Sequence, residues 1–303
     1  MPFTARLLMM PSWLFFLLMN LLGIGISLGL LFLVRGVLHY QVRERHNQVN
    51  GYIFTTAGLL YGVLIAFVVI FLWQGYQKAV EDASREGSEA LALYRDLSLY
   101  PDPGQVEGAK AALLVFVRKV IEDEFPAMGQ MQTSPATERA INALWLNTQK
   151  IHPTNMREQA LFAEILGELN QLSKLRHLRL DQMNSNLPTA IWLALIAGAL
   201  ISILFAVLLG AEKFWLHTLL TCMLAALMAT SFFVVIELDY PFMGEISAKP
   251  SSYAGLLEMV EGRSALMEGK TLQEFICGNP PATGKDAIKN PPATGARNRG
   301  SNQ

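Results

Sequence analysis

The sequence predicts an all-α integral membrane protein: four transmembrane helices, with an extramembrane helical domain inserted between the second and third. Three observations predict it. Four windows, 12–34, 51–73, 187–209 and 214–236, contain no Asp, Glu, Lys or Arg. Each holds 23 residues, about 34 Å of helix at ~1.5 Å per residue, against a hydrocarbon core of about 30 Å. Charged residues make up 16% of the chain, against about 25% in ordinary soluble domains, and they concentrate between the windows.

The first window belongs to an apolar run from Leu7 to Val34. That is far longer than the about 7–15 residues of a secretion signal's core, so it reads as a true span. Within it, Gly25 and Gly29 have the small-xxx-small spacing that lets helices approach closely, and Asn20 is read as an interhelical hydrogen-bond donor. The connection Arg35–Asn50 carries Arg35, Arg43 and Arg45 beside Glu44, His39 and His46; the arginines read as anchors to lipid phosphates at a membrane edge or, alternatively, as an ion-attracting vestibule.

The second span, 51–73, runs without a helix breaker into a charged stretch from Gln77. Gly58, Gly62 and Ala66 follow i, i+4, i+8 and are read as a packing face. Leu59, Val63, Phe67 and Ile70 form a bulky face beside it.

Residues 77–186 form the one large polar segment and read as helical throughout. Pro101-Asp102-Pro103-Gly104 ends the first helix. Ser134-Pro135 starts a later one, with the hydroxyl as cap and proline in the first turn. Asn155-x-x-Glu158 has the logic of a capping box. Leu161, Ile165, Leu169, Leu172, Leu175 and Met183 then form a stripe that packs against a neighbour or docks a partner. Lys174, Arg176, His177 and Arg179 read as a solvated face with interfacial anchoring, and Glu81, Asp82, Glu86 and Glu89, alternating with Lys78 and Arg85, as a solvated face with local ion pairs.

The windows 187–209 and 214–236 form a hairpin through Ala211–Lys213, with Ala190, Ala194 and Gly198 as a small stripe on the first. Residues 237–277 are expected to fold onto the polar domain, with an amphipathic helix over 251–261. Residues 278–303 are expected to be disordered: Asn279–Gly284 recurs as Asn290–Gly295, and little apolar area offsets the ordering entropy.

No phosphate loop, nucleophile elbow or metal-ligand spacing is present. No catalytic residue, metal or cofactor is therefore predicted. Cys222 and Cys277 are too sparse for a disulfide framework. A net charge of −1 gives no pull on nucleic acid. The absence of charge inside the spans counts against proton-coupled transport but not against a passive pore, which gates through apolar constrictions.

Several motifs together resemble the bestrophin-like family of bacterial membrane proteins, a group named for its similarity to bestrophin anion channels. They are Tyr61–Trp73-x-x-Tyr76 with Glu89-Ala90, Arg176-x-x-Arg179-Leu180 leading to Leu187-Pro188-x-x-Ile191-Trp192, and Asp239-Tyr240-Pro241-Phe242-x-Gly244 after the fourth span. The resemblance covers roughly residues 50–253. It implies a homo-oligomeric channel for chloride or another anion, with the second span lining a neck near Thr55, Leu59 and Val63. These positions lack the aromatic-rich set of bestrophins, and only Glu245 follows Gly244 where animal bestrophins carry an acidic calcium clasp, so no calcium gating is expected. Asp239, Pro241, Phe242 and Gly244 read as a structural turn.

Lys and Arg are divided ambiguously between the two faces, so charge does not set the orientation. The resemblance implies a multi-pass protein of the cell (inner) membrane with both termini and the polar domain inside. The lipid bilayer is the expected partner. The alternative reading is a non-conducting scaffold or sensor that docks a partner on the 161–183 stripe. An enzyme acting on lipid at Arg43, Arg45 and His46 lacks any nucleophile–base pairing.

Overall fold

The computed structural model describes residue 8 and residues 10–37, 47–209 and 213–267. The Arg43, Arg45, His39 and His46 connection, most of the 211–213 turn and the repeated tail lie outside them. Every regular element among the described residues is helical. The described residues up to Leu257 pack as one unit, and 258–267, which continue the last helix, belong to a second.

Helix α1 is Ser12–Val37. Helix α2 is Asn47–Leu99, 53 residues without interruption, roughly 80 Å long. Its sequence contains no proline, so nothing breaks its hydrogen-bond ladder between the apolar and the charged half. Helix α3 is Pro103–Lys119, capped by Asp102, whose Oδ1 accepts from the Gly104 N–H at 3.0 Å. A π turn at Val120–Glu124 follows, and then the short α4, Phe125–Met128. Helix α5 is Pro135–Thr148, where the Ser134 hydroxyl accepts from the Thr137 N–H at 3.2 Å.

Helix α6 is Met156–Met183. Asn155 Oδ1 accepts from the Glu158 N–H at 2.9 Å, while the Glu158 carboxylate accepts from the Thr154 N–H at 2.7 Å. Helices α7, Thr189–Leu208, and α8, Phe214–Asp239, come next, and α9 is Ser251–Met267.

Four of these helices, α1, α2, α7 and α8, are long and apolar enough to cross a membrane. Helix α1 lies along α8. The apolar half of α2 buries Val68 and Leu72 in a cluster with Leu187, Leu195, Val235 and Leu238. Its charged half packs along α6 and against α3, and α3 packs on α5. Gly87 in that half has a packing reason: a Cβ there would stand 3.0 Å from the Ser252 carbonyl carbon at the start of α9.

Two expectations within the spans change. Asn20 does not reach another helix; its Nδ2 donates to the Phe16 carbonyl one turn back at 2.9 Å. Of the stripe Ala190, Ala194 and Gly198, only Gly198 makes a close helix contact, while Ala190 and Ala194 are exposed.

Candidate functional site along the second helix

The apolar half of α2 has one side turned to its own chain. Tyr61, Val68 and Leu72 are buried, and the Tyr61 hydroxyl donates to the Leu195 carbonyl at 2.9 Å. The Tyr61 ring lies where a Cβ on Gly198 would be, so α2 and α7 meet there as closely as glycine allows.

At 100° per residue, Leu59, Val63 and Ile70 stand roughly 160–200° around the helix from Tyr61. They point away from the other helices among the described residues: Leu59 is 69% and Val63 47% exposed, and the neighbouring Phe67 68%. Thr55, one turn before Leu59, returns its hydroxyl to the Gly51 carbonyl at 2.9 Å, which leaves mainly its methyl on this face. The row is therefore apolar, exposed and free of charge.

Gly58, Gly62 and Ala66 do not make the intrachain packing contact that their spacing suggests. Gly58 and Gly62 have nothing within 4 Å of a built Cβ, Ala66 is exposed, and Gly25 and Gly29 on α1 also face open space. The close contact on α1 is at Gly23, whose Cβ would stand 3.0 Å from the Ala229 Cβ. Small spacing permits close approach but does not say which glycine a neighbour uses.

Below the apolar half, α2 enters a buried charge network that corrects the reading of solvated faces. Arg179 of α6 is fully buried and forks onto Glu86 of α2, with Nη2 to Oε1 at 3.0 Å and Nε to Oε2 at 2.5 Å. It also donates to Glu124 at 2.6 Å and lies over the Phe125 ring, 4.8 Å from its centroid. Arg176 donates to Glu124 at 2.6 Å and to the exposed Glu138 at 2.8 Å. Two buried arginines face two buried glutamates, so the interior is locally neutral.

Burial works against each guanidinium charge, but Glu86 and Glu124 hold Arg179 above its ordinary value, and Glu124 and Glu138 do the same for Arg176. Burial, and then the Glu86 carboxylate, push the enclosed Tyr253 hydroxyl well above its usual range. Asp82 is buried as well and accepts from Gln182 at 2.5 Å. Of the expected surface pairs, Glu81–Arg85 is present at 2.6 Å and exposed.

The π turn supplies Glu124. One extra residue in the turn shifts the register of the following chain, a device common at functional sites, and it sets Glu124 inward although Glu122 stays exposed and Asp123 half-buried. Ile165, Leu169, Leu172 and Leu175 are buried in the same interface. The stripe read as a docking surface is thus covered inside the chain, largely by α2.

Where α8 ends, the helix ends of three spans are tied together. Asp239 Oδ1 accepts from the Leu187 N–H at 2.8 Å, and the Ser12 hydroxyl donates to Glu237 at 3.1 Å. Pro241 and Phe242 are buried, with Phe242 edge-on to Phe125 at 6.4 Å. Gly244 has φ +76°, a left-handed conformation that favours glycine. Among the described residues, no three His, Cys, Asp or Glu side chains converge to hold a metal ion.

Comparison with known proteins agrees with this architecture. The chain superimposes on crystal structures of single-substitution variants of a bacterial bestrophin homolog from Klebsiella pneumoniae. One has a TM-score of 0.59 at 14% identity, covering 84% of this chain and 99% of that one. A second has 0.58 at 14% identity, covering 84% and 97%. At these identities the likeness is one of fold. No curated protein matches the sequence. The family model for the Bestrophin-like domain matches residues 21–253, so the chain belongs to the Bestrophin-like family.

Proposed function

We propose that the chain is one subunit of a homo-oligomeric, passive anion channel of the cell (inner) membrane, with α2 lining the neck through Thr55, Leu59, Val63 and Phe67. The observation that carries this reading is the apolar row on α2, turned away from the chain's own helices and exposed in the single protomer. In a ring of subunits such rows meet around an axis and form a hydrophobic constriction, which gates by dewetting rather than by charge.

In this reading, residues 77–186 form an extramembrane domain inserted between spans two and three. The Arg176–Glu124–Arg179–Glu86 network then fixes the angle at which α2 leaves that domain, so that the neck is held by a rigid lever. Gly58, Gly62 and Ala66, open in the protomer, become the surface on which a neighbouring subunit's helix lies. Both termini sit on the cytoplasmic side, no cofactor is needed, and no catalytic constellation is invoked.

The test uses cysteine substitution in a Cys222→Ala, Cys277→Ala background. Chloride flux through reconstituted Leu59→Cys and Val63→Cys should be blocked by a charged thiol reagent, while Leu227→Cys, exposed on α8, should be unaffected. Equal sensitivity at all three positions would remove α2 from the conduction path.

A further inference from the structure

Helices α1, α7 and α8 leave a cavity of about 340 Å³ between them. Its walls are apolar throughout and include Met19, Trp192, Met228 and Phe232. Along α7 it runs from Trp192 to Ile203, and along α8 from Ala225 to Ile236; either distance is about 16 Å of helix. Buried Ala199, Ala225 and Ala229 form its floor, whereas Leu22, Ile26 and Leu200 at its rim are exposed. The rim continues into the exposed apolar surface of the same helices, so the cavity opens sideways onto the belt that faces lipid.

A cavity without polar groups does not hold water, and left empty it forfeits dispersion contacts along its whole lining. The fluid that touches this belt in a membrane is hydrocarbon chain, of matching polarity and shape.

One end of the cavity is also placed. Trp192 lies in the first turn of α7, and the Ser12–Glu237 and Leu187–Asp239 hydrogen bonds bring the start of α1, the approach to α7 and the end of α8 to one level. The groove therefore begins close to that membrane face and descends into the leaflet.

The geometry points to a binding site for one acyl chain of a bilayer phospholipid in the groove between α1, α7 and α8, entered from the leaflet on the side where α8 ends. This rests on the membrane placement of the four helices and not on conduction, so absence of ion flux would leave it standing.

The test uses the full chain with Trp13, Trp73, Trp145 and Trp215 each replaced by Phe, leaving Trp192 as the reporter on the groove wall. The protein is reconstituted in phosphatidylcholine vesicles whose acyl chains carry bromine at mid-chain, against unbrominated vesicles. Trp192 fluorescence should fall at least twofold with bromolipid. Filling the groove by Ala199→Phe or Leu200→Phe should cut that quenching by half or more, with the melting temperature as a control of folding. Should Ala199→Phe fail to fold, Leu200→Phe, at an exposed rim position, carries the comparison. Equal quenching in the parent and the filled variant means that Trp192 meets only bulk lipid. No quenching means that the groove is closed or covered by a neighbouring subunit. Either result overturns the proposal.

Discussion

Arg179 is a charged side chain with no access to water, and its cost is offset only while both of its carboxylates remain. Removing one partner of a buried pair costs about 3–5 kcal/mol, because the other charge is left unpaired. Arg179→Met should therefore destabilise the protein by about that amount in a denaturation series in detergent. Glu138→Ala, at the exposed edge of the same network, should cost no more than about 1 kcal/mol. Much of this was legible. Arg176 and Arg179 fall at the centre of the same helical face as Leu169, Leu172 and Met183, and Glu86 lies between Ala83 and Ala90 on the face that α2 buries. Composition alone assigns such groups to water, whereas their register puts them inside. Glu124 was not legible, because the π turn shifts the register that would have placed it.

A second carboxylate on α6 makes a pH prediction. Glu168 faces Glu89 of α2, and its Oε2 is buried. Hydrogen bonding to Glu89, burial, and the charges of Glu89, Asp96 and Glu164 push it up to about 7. The folded state thus holds this proton more tightly than the unfolded chain, whose value is near 4.5. The associated stability is fully present below about pH 4.5 and is lost as pH rises through about 7. After discounting for solvent screening, the loss is of order 1 kcal/mol. Melting temperature should fall between pH 5 and 8 in the parent and stay flatter in Glu168→Gln. Parallel profiles would contradict the shared proton.

At the scale of the element, α2 joins two environments in one rigid helix. Its apolar half docks through Tyr61 onto Gly198, and its charged half through Glu86 onto Arg179. Gly198→Ala drives a Cβ into a Tyr61 ring that its hydroxyl already pins to Leu195, and overpacking of this kind costs about 1–3 kcal/mol. Gly58→Ala meets open space in the protomer and should leave the fold of a single chain within about 0.5 kcal/mol. A melting series of the two variants in monomerising detergent checks the contrast. Helix existence was readable from the absence of charge and from the capping residues Ser134 and Asn155, whereas the run 101–104 signals only a helix end and its Asp102 also caps the next helix. The packing face of α2 was not readable. Gly58, Gly62 and Ala66 fix only where a backbone could approach, whereas the contact formed depends on where the Tyr61 ring finds its acceptor on another helix.

At the scale of the whole molecule, the charge-poor spans, the ties at the end of α8 and the buried network describe a membrane bundle with an ordered helical body. Membership of the Bestrophin-like family fits that description, and the exposed row on α2 gives it a reason to assemble. The central claim is that this row lines an ion path, and chloride efflux from liposomes containing the full-length protein tests it most directly. Efflux should exceed that of empty liposomes and rise several-fold in Leu59→Ala or Val63→Ala as the constriction widens. Efflux no greater than from empty liposomes, from protein that is oligomeric and folded, would contradict it.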